Sequence, residues 1–300
     1  MLTTDYGYRP PSAIELFRIL LRRARKQWRG HWAPAASPVI QASLLSGDPL
    51  VSCSGMSTLQ MGVPGLLPRL PRRHRGWFLL SPTWSIEHEG DAREIRARAV
   101  VHRLRQPRHS LIFMCNTPVE VDELRRHGEA AFFHNKTSAV SEETFRPLDG
   151  VSVEFDAVYN AQLAPFKRHG LALGIERCAF LFYRASMGLS ARQFETEVIA
   201  RHTRQAPGHI FINPIDEDGK PMLLASAEVN LHLNRAAVGL CLSESEGPMF
   251  ASTEYLLAGL PVVTTPSRGG RDVYLDDEFC LTVPPDPRAV ATAVAALKAR

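Results

Sequence analysis

Apolar and polar positions along this 300-residue chain follow two rhythms. Near the start, Ile14, Phe17, Leu20, Leu21, Ala24 and Trp28 recur at steps of three and four. That spacing predicts a basic amphipathic helix over 12–29. Residues 30–75 are rich in Pro, Gly and Ser and predict an irregular stretch with one strand at 49–53. Beyond it, short apolar runs alternate with helical periodicity. Strands are expected at 77–80, 110–114 and 130–133, with helices at 91–104 and 118–126, the latter opening on Pro118. The second half repeats the alternation more clearly. Strands are expected at 157–160, 178–183, 209–213, 237–243, 261–265 and 279–283, and helices at 191–204, 225–234, 249–258 and from Pro287. Strands separated by single helices imply βαβ units and parallel sheets. A polar stretch with Pro and Gly around 147–150 marks the expected boundary, so the chain reads as α/β with two domains, 1–150 and 151–300. No internal repeat is visible.

Composition narrows the class. Apolar residues make up 45% and charged residues 22%, which argues against disorder. No run approaches the roughly 18 apolar residues of a membrane span. The opening segment, with Asp5 and Glu15 and no apolar core, does not read as a secretory signal. Cys53, Cys115, Cys178, Cys241 and Cys280 are too scattered for a metal or redox motif, so reduced thiols in a cytoplasmic protein are expected. The histidines show no ligand spacing, and no catalytic metal is expected.

Net charge is +4, but residues 1–150 carry +7 and residues 151–300 carry −3. Much of the excess lies in two basic runs, 18–29 and 69–75, which suit acidic partners or form a solvated arginine face. Joined to the amphipathic pattern of 12–29, they suggest peripheral contact with the inner face of a membrane. No nucleic-acid-binding motif accompanies them, and nucleic acid is not an expected partner.

Candidate chemistry concentrates in SESEGPMFASTEYLLAGLPVVTT, which follows the expected strand 237–243. In an open parallel sheet, ligands bind beyond the carboxyl ends of the strands. Glu246 lies in such a loop with Gly247 and Pro248, directly before a helix whose first N–H groups suit a phosphate or a hydroxyl. Glu254 follows eight positions later, up to roughly 12 Å away along a helix. Two carboxylates so spaced match a ligand with two hydroxyl-rich ends joined by a pyrophosphate, because each accepts hydrogen bonds from a vicinal diol.

Glu246 and Glu254, the AGLPVV segment and Gly269-Gly270 together resemble the E-x7-E pattern of group 1 glycosyltransferases, retaining enzymes of the GT-B fold. The resemblance implies two Rossmann-like domains facing across a cleft, with the N-terminal one on the acceptor side. It implies that Glu246 contacts the transferred sugar, that Glu254 contacts the ribose, and that the backbone of Gly247, Pro248, Met249 and Phe250 cradles sugar and phosphate. Gly269 and Gly270 complete this donor site. The family's basic pair, an Arg and a Lys five positions on, falls at Gln162 and Lys167. Lys167 would neutralise the departing diphosphate. Glutamine cannot supply the arginine's charge, and Arg168 or Arg268 are the candidates to replace it. The N-terminal domain is atypical, lacking the usual glycine-rich opening turn. Its candidate for the histidine near the donor sugar is His88.

The expected function is therefore a metal-independent retaining transfer of a sugar from a nucleotide diphosphate-sugar to a hydroxyl acceptor, a glycan, a lipid-linked molecule or a small molecule. No cofactor beyond the donor substrate is implied. The alternatives are a non-catalytic nucleotide-sugar binder, a degenerate partner subunit, or another GT-B activity such as a sugar-nucleotide epimerase. Asp216-Glu217-Asp218, followed by Gly219, reads as a polar turn rather than a metal site. GT-B chains commonly continue beyond the last helix, so this chain reads as short or incomplete.

Overall fold

The computed structural model describes residues 8–28, 42–58, 61–66, 75–184 and 189–299. The chain divides into two compact units, Met1–Lys136 and Thr137–Arg300. Much of the stretch 30–75 lies outside the described residues.

The first unit opens with helix α1 (Ala13–Trp28), whose first turn is capped by Ser12 Oγ accepting from Glu15 N at 3.2 Å. Strands β1 (Ala42–Gly47) and β2 (Leu50–Met56) form an antiparallel hairpin. A one-turn helix, α2 (Val63–Leu66), leads on to β3 (Gly76–Pro82), helix α3 (Glu89–Arg105), β4 (His109–Cys115), helix α4 (Pro118–Arg126) and β5 (Ala130–Phe133). Strands β2 to β5 are parallel and lie side by side in chain order. Phe78, Leu80, Leu111 and Phe113 from the central strands pack against Ala92, Ile95 and Ala99 of α3 and Val121 and Leu124 of α4. Because the strand order never reverses among these four, they contain no switch point of the kind that opens a ligand crevice.

The second unit is doubly wound. Strand β6 (Ala157–Asn160) is followed by β7 (Cys178–Leu181), helix α5 (Leu189–Gln205), β8 (Ile210–Phe211), helix α6 (Ser226–Asn234), β9 (Gly239–Cys241), helix α7 (Phe250–Leu257), β10 (Val262–Thr264), β11 (Cys280–Thr282) and helix α8 (Pro287–Lys298). The six strands are all parallel in the order β11-β10-β9-β6-β7-β8. The order reverses between β6 and β9, which pair through Val158 and Gly239. Residues that precede β6 belong to this unit as well. Phe145 sits in its core, Asn230 Oδ1 accepts from Arg146 N at 3.2 Å, and Asn234 Oδ1 accepts from Leu148 N at 2.7 Å.

One feature recurs in both units although no repeat is evident from pattern alone. His102 lies near the end of α3 and His109 opens β4 in the first unit, while His202 lies near the end of α5 and His209 directly before β8 in the second, each pair with the spacing H-x4-P-x-H. Both pairs have ring centroids 5.1 Å apart, with nitrogen contacts of 2.9 Å and 2.8 Å. Each pair rests on a core phenylalanine, Phe78 or Phe180. Burial holds His102 and His202 to a pKa of about 4, so both are neutral near pH 7.

Four of the five cysteines are buried and all are free thiols. No helix among the described residues is long and apolar enough to cross a membrane. Asp216 Oδ1 accepts from Asp218 N at 3.1 Å and from Lys220 N at 2.7 Å, with Gly219 at φ 70°, so this acidic triplet is a tight turn.

Candidate functional site

The reversal between β6 and β9 places two loops side by side at the carboxyl ends of the sheet, where α/β folds bind ligands. The loop after β6 carries Gln162, Lys167 and Arg168; the loop after β9 carries Glu246 to Met249 and leads into α7 at Phe250. Glu244 N donates to Phe166 O at 3.0 Å, which joins them. Lys167 Nζ donates to Glu246 Oε1 in a short ion pair, with both side chains more than nine-tenths buried. The backbone of Lys167 is fixed from below, because Tyr159 Oη donates to its carbonyl at 2.6 Å.

Arg168 adopts a left-handed conformation at φ 52°, strained for a residue with a Cβ. Its guanidinium over-determines that conformation. Nε donates to Leu242 O at 2.6 Å and Nη2 to Thr265 Oγ1 at 2.8 Å, so two of its nitrogens bond inward to the ends of β9 and β10. Arg271, fully buried, does the same from the other side. It donates to Ser243 O at 2.7 Å, to Thr264 Oγ1 at 2.7 Å and to Thr265 O, and pairs with Asp272. These two arginines lock the strand ends from which the Glu246 loop departs.

Glu254 is held by a different route. Gly239 lies on β9 where a Cβ would sit 2.5 Å from Tyr255 Cγ, so the absence of a side chain lets α7 pack flat on the strand. Tyr255 Oη then reaches the end of β6 and accepts from Asn160 N at 2.6 Å. One residue earlier on the helix, Glu254 Oε2 accepts from Asn160 Nδ2 at 2.9 Å. Burial pushes the Glu254 carboxyl up to about 7, against the lowering effect of the Asn160 bond.

The remaining expected residues fall around the same strand ends. Gly247 and Met249 are buried, Pro248 is half-buried and Phe250 exposed at the start of α7, where Met249 provides no side-chain cap. Gly269, at φ 95°, and Gly270 begin a short 3-10 turn. The segment before them runs alongside the Glu246 loop. Glu246 N donates to Arg268 O at 2.9 Å, Arg268 N donates to Glu244 O at 3.3 Å, and the Arg268 side chain is exposed.

His88 belongs to the first unit, exposed at the N-cap of α3. The loop that carries it is tied to the start of α4 by Glu120, which accepts from Ile86 N at 3.1 Å and Asn116 N at 2.7 Å. Thr117 Oγ1 adds a bond to Glu87 at 2.9 Å. Burial pushes Glu120 up to about 7. Sequence reasoning did not single out Asn160, Tyr255, Arg271 or Glu120. The available signal was local and weak: a polar residue closing an apolar strand, or an arginine directly after Gly-Gly. Among the described residues no group of three or more His, Cys, Asp or Glu side chains is placed to hold a metal ion.

No protein-family model and no curated protein sequence matches the chain. Solved structures do. Anabaena Alr3699/HepE in complex with UDP is 15% identical, with 75% of this chain and 62% of that one covered at a TM-score of 0.53. The same protein with UDP-glucose gives 13% identity, 75% and 62% coverage and a TM-score of 0.51. TarM of S. aureus, in complex with UDP among other ligands, gives 9% identity, 90% and 59% coverage and a TM-score of 0.50. The chain thus spans about three fifths of the length of these structures. What it shares with them is the fold of the GT-B glycosyltransferases, α/β with two Rossmann-like units.

Proposed function

We propose that this chain is a nucleotide-sugar-dependent glycosyltransferase acting with retention, and that the switch point of its second unit is the donor site. The observation that carries this reading is the convergence of Lys167, Glu246 and the Asn160–Glu254 pair at the carboxyl ends of β6 and β9. UDP and UDP-glucose in the HepE complexes support a nucleotide-sugar ligand for this fold.

Glu254 and Asn160 take the ribose hydroxyls, and Glu246 takes hydroxyls of the transferred sugar. The N–H groups at the start of α7 and the backbone of Gly269 and Gly270 receive the phosphates. Donor entry exchanges the Lys167–Glu246 contact for two new ones, phosphate on the ammonium and sugar on the carboxylate. The bond from the sugar carbon to the diphosphate oxygen breaks while the acceptor oxygen bonds the same face of that carbon. The acceptor proton passes to the departing phosphate, whose charge Lys167 stabilises. Gln162 lacks the charge found at that position in the family, and Arg268, strung beside the Glu246 loop, supplies the second cation. His88 is the first unit's candidate to bond a sugar hydroxyl or manage a proton.

A second reading, a nucleotide-sugar binder without turnover, is favoured by Gln162 and by the neutralisation of Lys167 in its ion pair. Following consumption of UDP-, GDP- and ADP-sugars by mass spectrometry, with Glu246→Ala as control, separates the two. Product formed by the wild type and lost in the variant supports the enzyme. Binding without turnover for every donor and acceptor tried leaves the binder.

A further inference from the structure

The first unit carries a surface that the donor chemistry does not use. Along α1, Ile14 and Phe17 are each 66% exposed, Leu20 is 48% and Leu21 is 38% exposed. At 100° per residue these four share an arc of roughly 120°, with Arg18 and Arg22 on one margin. Both arginines are exposed. The chain continues beyond them with Arg23, Arg25 and Lys26. The opposite side of the helix is the packed one, where Glu15, Leu16 and Ile19 are half-buried.

This orientation is enforced. Arg96 of α3, 2% exposed, bonds Glu15 Oε1 at 2.9 Å, Glu129 Oε1 at 2.8 Å, Gly128 O at 3.2 Å and Arg9 O at 2.9 Å. Arg9 N donates to Gly128 O at 2.8 Å, and Arg103 lies over the Tyr8 ring at 4.5 Å. A buried guanidinium with four partners fixes how α1 is rotated. Turning the apolar arc inward would strand those charges.

We propose that this arc of α1 is a docking surface for an anionic lipid bilayer. Ile14, Phe17, Leu20 and Leu21 would enter the boundary between head groups and acyl chains, while Arg18 and Arg22 extend to lipid phosphates. Charge complementarity selects this occupant. A second copy of the chain packed face to face and antiparallel would bring two sets of arginines together, whereas an anionic surface pairs with them at every azimuth.

The test is co-sedimentation of the full chain with phosphatidylcholine vesicles, with and without about one third phosphatidylglycerol. Binding to the anionic vesicles only is expected, falling about tenfold or more in Phe17→Ser/Leu20→Ser and in Arg18→Gln/Arg22→Gln. Raised salt should weaken it, and unchanged circular dichroism and thermal midpoints in both variants keep the loss assignable to the surface. Equal partition of wild type and variants, or no binding to either vesicle, overturns the proposal. Self-association abolished by Phe17→Ser/Leu20→Ser, with no vesicle binding, also overturns it and identifies a second copy as the occupant.

Discussion

Lys167 and Glu246 form a buried ion pair across the two loops that leave β6 and β9. Each is the other's main compensation for lost hydration. Removing one partner, as in Lys167→Met or Glu246→Gln, should cost about 3–5 kcal/mol by leaving a buried charge unpaired. Lys167→Met with Glu246→Gln removes both charges and should recover most of that loss while activity stays abolished. Urea midpoints across the four proteins of the cycle check this. A double variant no more stable than the singles would show that the pair is not coupled.

Glu254 would give the proposed donor site a pH dependence. Burial raises its carboxyl to about 7, so below neutrality it is mostly protonated. Ribose hydroxyls donate to the ionised form, and donor affinity should therefore rise with pH through 7 and level off above it. The expected gain is about tenfold between pH 6 and 8. A nucleotide sugar is the right probe, because its diphosphate does not itself titrate there. Calorimetry should show the slope flattened in Glu254→Gln; an equal slope in that variant would assign the titration to another group.

Gly239 and Tyr255 place α7. Gly239→Ala sets a methyl 2.5 Å from the Tyr255 ring carbon, which forces the helix outward at a cost of roughly 1–3 kcal/mol. Glu254 moves with it, so donor affinity should fall by more than the thermal midpoint implies. Tyr255→Phe loses only the bond from Asn160 N and should show a milder form of both effects. Normal donor affinity in Gly239→Ala would contradict this chain of contacts.

Arg268 and Gln162 divide the question of the second cation. Arg268→Gln should weaken binding of a nucleoside diphosphate about tenfold and leave binding of the nucleoside unchanged. Gln162→Arg, placed in that variant, should restore part of the loss. An Arg268→Gln protein that binds the diphosphate as the wild type does would exclude the role.

His202 should contribute to acid sensitivity. Its folded pKa is depressed to about 4 by burial, below the ordinary 6.5. Unfolded protein binds more protons between those values, so this contribution to stability is full above pH 6.5 and is lost as pH falls toward 4. Glu120 and Glu254 act in the opposite sense between 7 and 4.5, because their folded pKa values are raised. The clean comparison is therefore wild type against His202→Gln. Urea midpoints at pH 7.5 and 5 should diverge less in the variant.

Periodicity was enough for most of the fold. The expected helix at 118–126 and strands at 130–133 and 157–160 coincide with α4, β5 and β6, because each is bounded by sharp local signals such as Pro118. Strand β1 went unforeseen: an edge strand with every residue but one exposed carries no apolar alternation. The expected strand at 209–213 shrinks to two residues, since His209 is held by its own turn and by His202 instead of the sheet.

The site was legible to a different depth. Glu246, Glu254 and Lys167 are singled out as candidates by their order along the chain and the resemblance it carries. The groups that position them are not, because Asn160 meets Glu254 and Tyr255 from more than 90 residues away. Arg168 illustrates the same limit. Beside a candidate phosphate lysine it looks like a second phosphate ligand, yet its Nε and Nη2 bond to strand ends about 74 and 97 residues further along.

The most direct test of the proposed donor site is equilibrium binding of UDP-, GDP- and ADP-sugars to the wild type, Lys167→Met and Glu254→Ala. At least one donor should bind, and each variant should weaken its binding by about tenfold or more. No binding by the wild type, or binding that neither substitution changes, would contradict the proposed site.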